Sequence, residues 1–316
     1  MPAFVTHHLF ADQVFHALPE GQAKTAVRRN YDAFLWGAQG PDILFFNKIS
    51  TVLPLWGSVM HHKKVKENFA AMQRYLIRTR QGFFFEAQLA YALGFLCHYA
   101  LDKTCHPYVY CVQAAFQEDP RVSSGAHNRI ESDIDTALYR RLTGRSVREY
   151  AIPQSMFAPH VTKAIALYLS YLLRAVYGAK TSVEKVEQSF LCDDFFISLF
   201  VGKAAFSHRV GLGLDKLTGR RYAFSGYMRQ ERADWDCLNL RHRRWCNLQR
   251  PVEKSRESVP ELMERARDEA VEMIAAFCQN VERMRPRAIC GDETFDNGHP
   301  ERKTLRQAIE ERELAR

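Results

Sequence analysis

Apolar positions recur at spacings of three and four through most of this chain, the interval that gathers side chains on one face of an α-helix. Strict alternation and Asn-Gly-type hairpin dipeptides are almost absent. The pattern predicts an all-α protein. Helices are expected over residues 7–18, capped by Thr6 and stopped by Pro19, and over 21–29. Two glycines and a proline between Trp36 and Asp42 predict a loop. Further helices are expected over 63–78, over 83–104 with Pro107 as the stop, and over 128–142, 161–176 and 182–200. From 211 to 260 the periodicity fades into glycines, arginines and tryptophans, which predicts a long irregular segment of the kind that usually carries a function. Ser258-Val-Pro-Glu261 has capping-box spacing and opens a helix expected to reach 282. The charged tail from Arg302 is expected to be a solvent-facing helix or irregular.

Composition narrows the class. Of the 316 residues, 47% are hydrophobic and 12% aromatic, ample for a packed core. Glu86 and Asp102 interrupt the most apolar run, so no spanning helix is expected. The start Met1-Pro2-Ala3-Phe4 lacks a basic and then apolar leader, which predicts a cytoplasmic location. Eight cysteines without a C-x-x-C pair read as free buried thiols in a reducing compartment. The formal charge of +8 suits an anionic partner, whether a phosphate ester, a lipid surface or nucleic acid, and equally a plain solvated basic surface.

The chemistry concentrates in His98-Tyr-Ala-Leu-Asp102-Lys-Thr-Cys-His106 and in His127-Asn-Arg-Ile-Glu131. Residues four apart on a helix lie one turn above each other, so each pair can aim at one ion. The flanking run from Phe83 to Leu101 is apolar enough to predict a buried helix, where an acid and an imidazole are costly without a partner. A metal would be that partner. Imidazole with carboxylate and no thiolate pattern favours Zn²⁺ over Mn²⁺ or Fe. Further candidate ligands are Asp42 in the Gly-Pro-Asp turn, His7 or His8 at the start of the first helix, and His61 or His62 before the next. A single buried histidine is more often a hydrogen-bonded core residue than a ligand. The two helical pairs together with His106 reverse that balance. His16, His160, His208, His242 and His299 are taken to lack an acid partner at helical spacing and are expected on the surface or in the core. The four tryptophans are expected to pack rather than to form a lipid-binding belt.

Taken in order, Thr6-His7, Gly40-Pro-Asp42, Met60-His61, Gly94-Phe-Leu-Cys-His98-x-x-x-Asp102-x-x-x-His106 and His127-x-x-x-Glu131 resemble the bacterial zinc-dependent phospholipase C family. That family is all-helical and shares its zinc site with the P1/S1 nucleases. Asn239-Leu-x-His-x-x-Trp245 and the helix opened by Ser258 look like the later part of its intracellular members. The resemblance implies a multi-helix bundle with a metal-binding core over 1–200. Residues 201–316 would then form an irregular insertion and C-terminal helices packed on the same domain. It also implies that His61, His98 and Asp102 hold one zinc and that His106, His127 and Glu131 hold a second. Asp102 would bridge to a third ion near His7, and Asp42 would be the general base. Thr6 beside His7 and Met60 beside His61 favour those two over His8 and His62. In the secreted enzymes a processed N-terminal Trp completes the third zinc site, whereas this chain begins Met1-Pro2, and its interval from Asp102 to His106 is shorter. Two or three zinc ions are therefore expected.

The expected activity is phospholipase C-like hydrolysis of a phosphodiester by metal-activated water, with a phospholipid at a membrane surface as the first expected substrate. Nuclease or nucleotidase action by the same ions is the second reading. A non-catalytic zinc-stabilised protein whose basic segment 211–251 binds a membrane or partner is the third. Structural zinc is usually closed by four protein ligands, mostly Cys and His, and a carboxylate-rich set that leaves positions open favours catalysis.

Overall fold

The computed structural model describes residues 4–47, 49–50, 52–116, 125–201 and 208–297. The expected charged tail lies outside these. Eleven α-helices occur among them: α1 Phe4–Ala17, α2 Gln22–Arg29, α3 Tyr31–Ala38, α4 Leu53–His62, α5 Val65–Arg78, α6 Phe85–Phe116, α7 Gly125–Thr143, α8 Pro159–Tyr177, α9 Val183–Phe200, α10 His208–Thr218 and α11 Val259–Glu282. A small antiparallel hairpin, β1 Trp245–Asn247 and β2 Arg250–Ser255, is the only sheet among the described residues. The fold is all-α, as the periodicity predicts. No described helix is long and apolar enough to cross a membrane, and all eight cysteines are free thiols.

α6 is the axis of the molecule. Its central turns are buried on every side, from Gln88 through Asp102, and α1, α2, α3, α7, α8 and α11 all pack against it. The closest of these contacts is with α3, where Gly37 and Gly94 let the two backbones meet. A Cβ on Gly94 would stand 2.0 Å from the carbonyl oxygen of Phe34, and one on Gly37 would stand 2.1 Å from that of Tyr91.

Several boundaries differ from the periodic reading, each for a physical reason. α6 does not stop at Pro107 but runs through it to Phe116. The ring costs one intrahelical hydrogen bond, and the next turns are anchored from outside: Tyr108 donates to the carbonyl of Cys237 at 3.0 Å, and Tyr110 donates to Asp296. Phe83, expected in the buried helix, lies before it and is 92% exposed. The loop expected from Trp36 is instead the end of α3, followed by a 3₁₀ turn over Gly40–Leu44. α3 escapes pattern reading because Ala33 through Ala38 are all buried, leaving no polar face to create a period. The segment from 211 to 260 is not wholly irregular, since it contains most of α10 and the β1–β2 hairpin. Asn239 ties the base of that hairpin by donating to the carbonyls of Arg243, Arg256 and Glu257.

Thr6 is not an N-cap. It sits inside α1, and its N–H and hydroxyl both donate to Asp135 of α7, at 2.7 and 2.6 Å. The same carboxylate accepts from Val5 N–H and pairs with buried Arg229 at 2.6 Å. A side chain from a distant helix thus satisfies the first-turn donors that a local cap would otherwise take. The capping box at Ser258 and Glu261 does form, at the start of α11.

Gly94→Ala gains about 1 kcal/mol of helix propensity but drives a methyl into the α3 backbone. The net expectation is a loss of roughly 1–3 kcal/mol from overpacking, read as a lower urea midpoint; a midpoint at or above wild type would show that α3 can shift freely.

Candidate metal centre

Five elements bring the expected residues to one buried place. α6 aims His98, Asp102 and His106 along one face, α1 contributes His7, the 3₁₀ turn contributes Asp42, the last turn of α4 contributes His61, and α7 supplies His127 and Glu131. Gly40, at φ 52°, sits directly against the His98 ring. A Cβ there would stand 2.4 Å from the imidazole, so only glycine lets the turn deliver Asp42 so close.

Asp102 is the hub. Its Oδ1 lies 3.3 Å from His7 Nε2 and 3.8 Å from His106 Nε2, and its Oδ2 lies 3.1 Å from His98 Nε2 and 3.8 Å from His61 Nε2. His61 Nε2 is also 3.1 Å from Asp42 Oδ1 and 3.5 Å from His98 Nε2. On the other side, Glu131 Oε1 stands 3.6 Å from His106 Nε2 and 3.1 Å from His127 Nε2. Three triads have ligand atoms within 4.8 Å of one another: His7, Asp42 and His98; His61, His98 and Asp102; His106, His127 and Glu131.

The outward ring nitrogens decide what the inward ones can do. Nδ1 faces the carbonyl of Gly57 in His61 (2.8 Å), the carbonyl of Ala38 in His98 (3.0 Å), the carbonyl of Phe295 in His106 (3.1 Å) and Oε1 of Gln113 in His127 (3.1 Å). Each partner only accepts there, so Nδ1 carries the proton and Nε2 turns a lone pair inward. Four lone pairs then converge on carboxylate oxygens, and Glu131 Oε2 and His7 Nδ1 have no hydrogen-bond partner. Acceptors facing acceptors in a buried site need a cation between them. Zinc fits this donor set. Four ligand atoms at about 2.0–2.2 Å from a tetrahedral ion lie roughly 3.3–3.6 Å apart, within the 3.1–3.8 Å spread of the acceptor contacts here.

Electrostatics agree. Burial would drive protons off His98 and His106, but the Asp102 carboxylate overrides it and raises both above the ordinary imidazole range. Burial likewise opposes ionisation of Asp102 and Glu131. The surrounding imidazoles, His106 and His98 for the first and His127 and His106 for the second, hold both carboxyls well below the usual range.

The doubled histidines separate cleanly. His8 turns away from the cluster to Tyr150, with Nδ1 2.5 Å from its hydroxyl, and its ring lies tilted against that of Phe4, centroids 4.4 Å apart. Burial, with His7 beside it, pushes its pKa down to about 3. His62 faces Asp296, at 2.6 Å. His16 does have an acid at helical spacing, Asp12 at 3.6 Å, but both are exposed. His160 is exposed, His208 contacts Arg129 and His242 lies 3.5 Å from Glu261, all away from the cluster. His299 lies outside the described residues. Trp36, Trp235 and Trp245 pack inward and donate to Met156, Asp133 and Glu257 respectively.

Sequence reasoning missed Asp296. Its carboxylate is buried, lies 3.1 Å from His106 Nδ1 and accepts from Tyr110. It has no helical partner in sequence, and no local signal marks it. With His7, Asp42, His61, Asp102, His106, His127 and Glu131, it lines a cavity of about 360 Å³ whose other walls include Phe45, Phe46, Asn128 and Tyr227.

A family model described as zinc dependent phospholipase C matches residues 6–178, a stretch that contains every cluster residue except those brought by the 290s segment. No curated protein and no solved structure matches the chain.

Because the carboxylates around His98 and His106 favour their protonated forms in the metal-free protein, zinc competes with protons for these imidazoles. Zinc affinity should therefore rise with pH, and binding heats should differ between two buffers of unlike ionisation enthalpy; equal heats would contradict this protonation pattern.

Proposed function

Because this chain belongs to the zinc-dependent phospholipase C family, we propose that it is a metal-dependent phosphodiesterase whose substrate is a phospholipid. The observation that carries the reading is the ring of imidazoles with Nδ1 tied outward and Nε2 turned in, around Asp42, Asp102 and Glu131. His61, His98 and Asp102 would hold one zinc and His106, His127 and Glu131 a second, with His7 and Asp102 beside a further position. Zinc there would supply Lewis acidity, acidifying water and offsetting negative charge on phosphoryl oxygens.

The residues of the chain would do the rest. Asp42, at the cavity wall and 3.1 Å from His61, would orient the attacking water and accept its proton. Burial resists its ionisation, but His61 and His98 beside it keep it a carboxylate, lowered from its ordinary range. The water oxygen bonds to phosphorus, the bond from phosphorus to the glycerol oxygen breaks, and a proton passes to that oxygen, giving diacylglycerol and a phosphorylated head group. Phe45, Phe46 and Tyr227 would offer apolar walls for the part of the lipid next to its phosphate.

Asp102 touches four imidazoles, so Asp102→Asn should strip zinc and hydrolysis of phosphatidylcholine together; full zinc content in that variant would refute the assignment. Zinc-loaded protein that cleaves single-stranded DNA and leaves phosphatidylcholine intact would move the reading to a nuclease.

A further inference from the structure

We propose that Asp296 is a positioning residue for this centre, fixing the His106 imidazole so that Nε2 points at the ion held with His127 and Glu131. The inference rests on the reading that these three residues hold zinc. Asp296 lies in a turn closed by Asn297 N–H donating to the carbonyl of Thr294 at 3.0 Å, beyond the part of the chain that the family model matches.

The turn makes several contacts with the centre. Phe295 N–H donates to the carbonyl of His61 at 3.2 Å. Its ring lies 5.0 Å from the His61 ring and 5.6 Å from that of His98. Its carbonyl accepts from His106 Nδ1 at 3.1 Å, and Asp296 Oδ1 lies the same distance from that nitrogen. Asp296 Oδ2 reaches His62 at 2.6 Å, and His62 Nδ1 in turn donates to the carbonyl of Ser58. The segment is moored from outside the cluster by Tyr99 donating to the Glu293 carbonyl, by Arg250 pairing with the Glu293 side chain, and by Gln73 hydrogen-bonded to the backbone of Arg287.

What separates Asp296 from a mere plug is the chemistry of its contact. The outward nitrogens of His61, His98 and His127 meet only neutral acceptors, two backbone carbonyls and one side-chain amide. Only His106 among these four meets a carboxylate. A carboxylate behind a ligating imidazole locks the tautomer, fixes the ring and makes the inward nitrogen a stronger donor. An apolar side chain would fill the same space and do none of these.

The test uses the full chain, stripped of metal and titrated with zinc against a chromophoric chelator, and separately loaded with Co²⁺ to read its visible spectrum. Asp296→Ala should weaken one class of zinc by about 10–100-fold, leave the other class unchanged, and alter the Co²⁺ bands. Asp296→Asn, which keeps an acceptor for His106 and the same shape, should lose less. Asp292→Ala, on the same segment but solvent-facing and paired with Lys66, should match wild type. Should the alanine variant fail to fold, the asparagine variant decides, because a purely structural role predicts wild-type affinity and spectrum for it. Wild-type zinc uptake with unchanged affinity in both Asp296 variants overturns this inference alone. A wild-type chain that takes up no zinc overturns it together with the reading on which it rests.

Discussion

The structure is organised around an unfavourable arrangement that something positive must relieve. Backbone carbonyls and polar side chains claim the outer nitrogen of four imidazoles, which leaves their inner lone pairs aimed at three buried carboxyls. Nitrogen and oxygen acceptors 3.1–3.8 Å apart repel one another in a low-dielectric interior. Protons can relieve part of this, and the raised imidazoles and lowered carboxyls of the metal-free protein are that partial relief. Divalent ions relieve it more fully, because one ion satisfies several acceptors at once. The rest of the fold serves to hold the acceptors in place.

Holding them requires unusually close packing nearby. α6 carries three of the eight cluster residues, and its approach to α3 depends on facing glycines. The 3₁₀ turn that follows α3 then presents Asp42 beside His98, with Gly40 leaving room for the ring. α1 is fixed to α7 by the Asp135 carboxylate, which also restrains the helix bearing His7. α6, the 3₁₀ turn and α1 thus carry their cluster residues on elements whose positions are set by contacts other than the cluster itself.

The chain announced most of this locally and hid the rest. Pairs four residues apart on one helix are visible in sequence because the helix itself converts spacing into proximity, and His98, Asp102, His106, His127 and Glu131 are all of that kind. Asp42 is legible through its glycine-proline turn. The choice of His7 over His8 and of His61 over His62, favoured in the sequence by the neighbouring Thr6 and Met60, depends in the structure on helix rotation relative to distant partners, here Tyr150 and Asp296. α3 was invisible because a helix buried all round has no amphipathic period. The continuation of α6 past Pro107 was invisible because the compensating contacts come from Cys237 and Asp296, far along the chain. Asp296 itself, a lone acid in a turn, has no sequence signature at all.

The closing turn at Phe295 and Asp296 has a consequence for biosynthesis. A ribosome releases His7 through Glu131 long before it releases the residues that back His106. The nascent polypeptide thus passes through a stage in which the inward-facing acceptors exist without their rear support. Any ion bound at that stage would be held by the early helices alone, before the Phe295 carbonyl reaches His106.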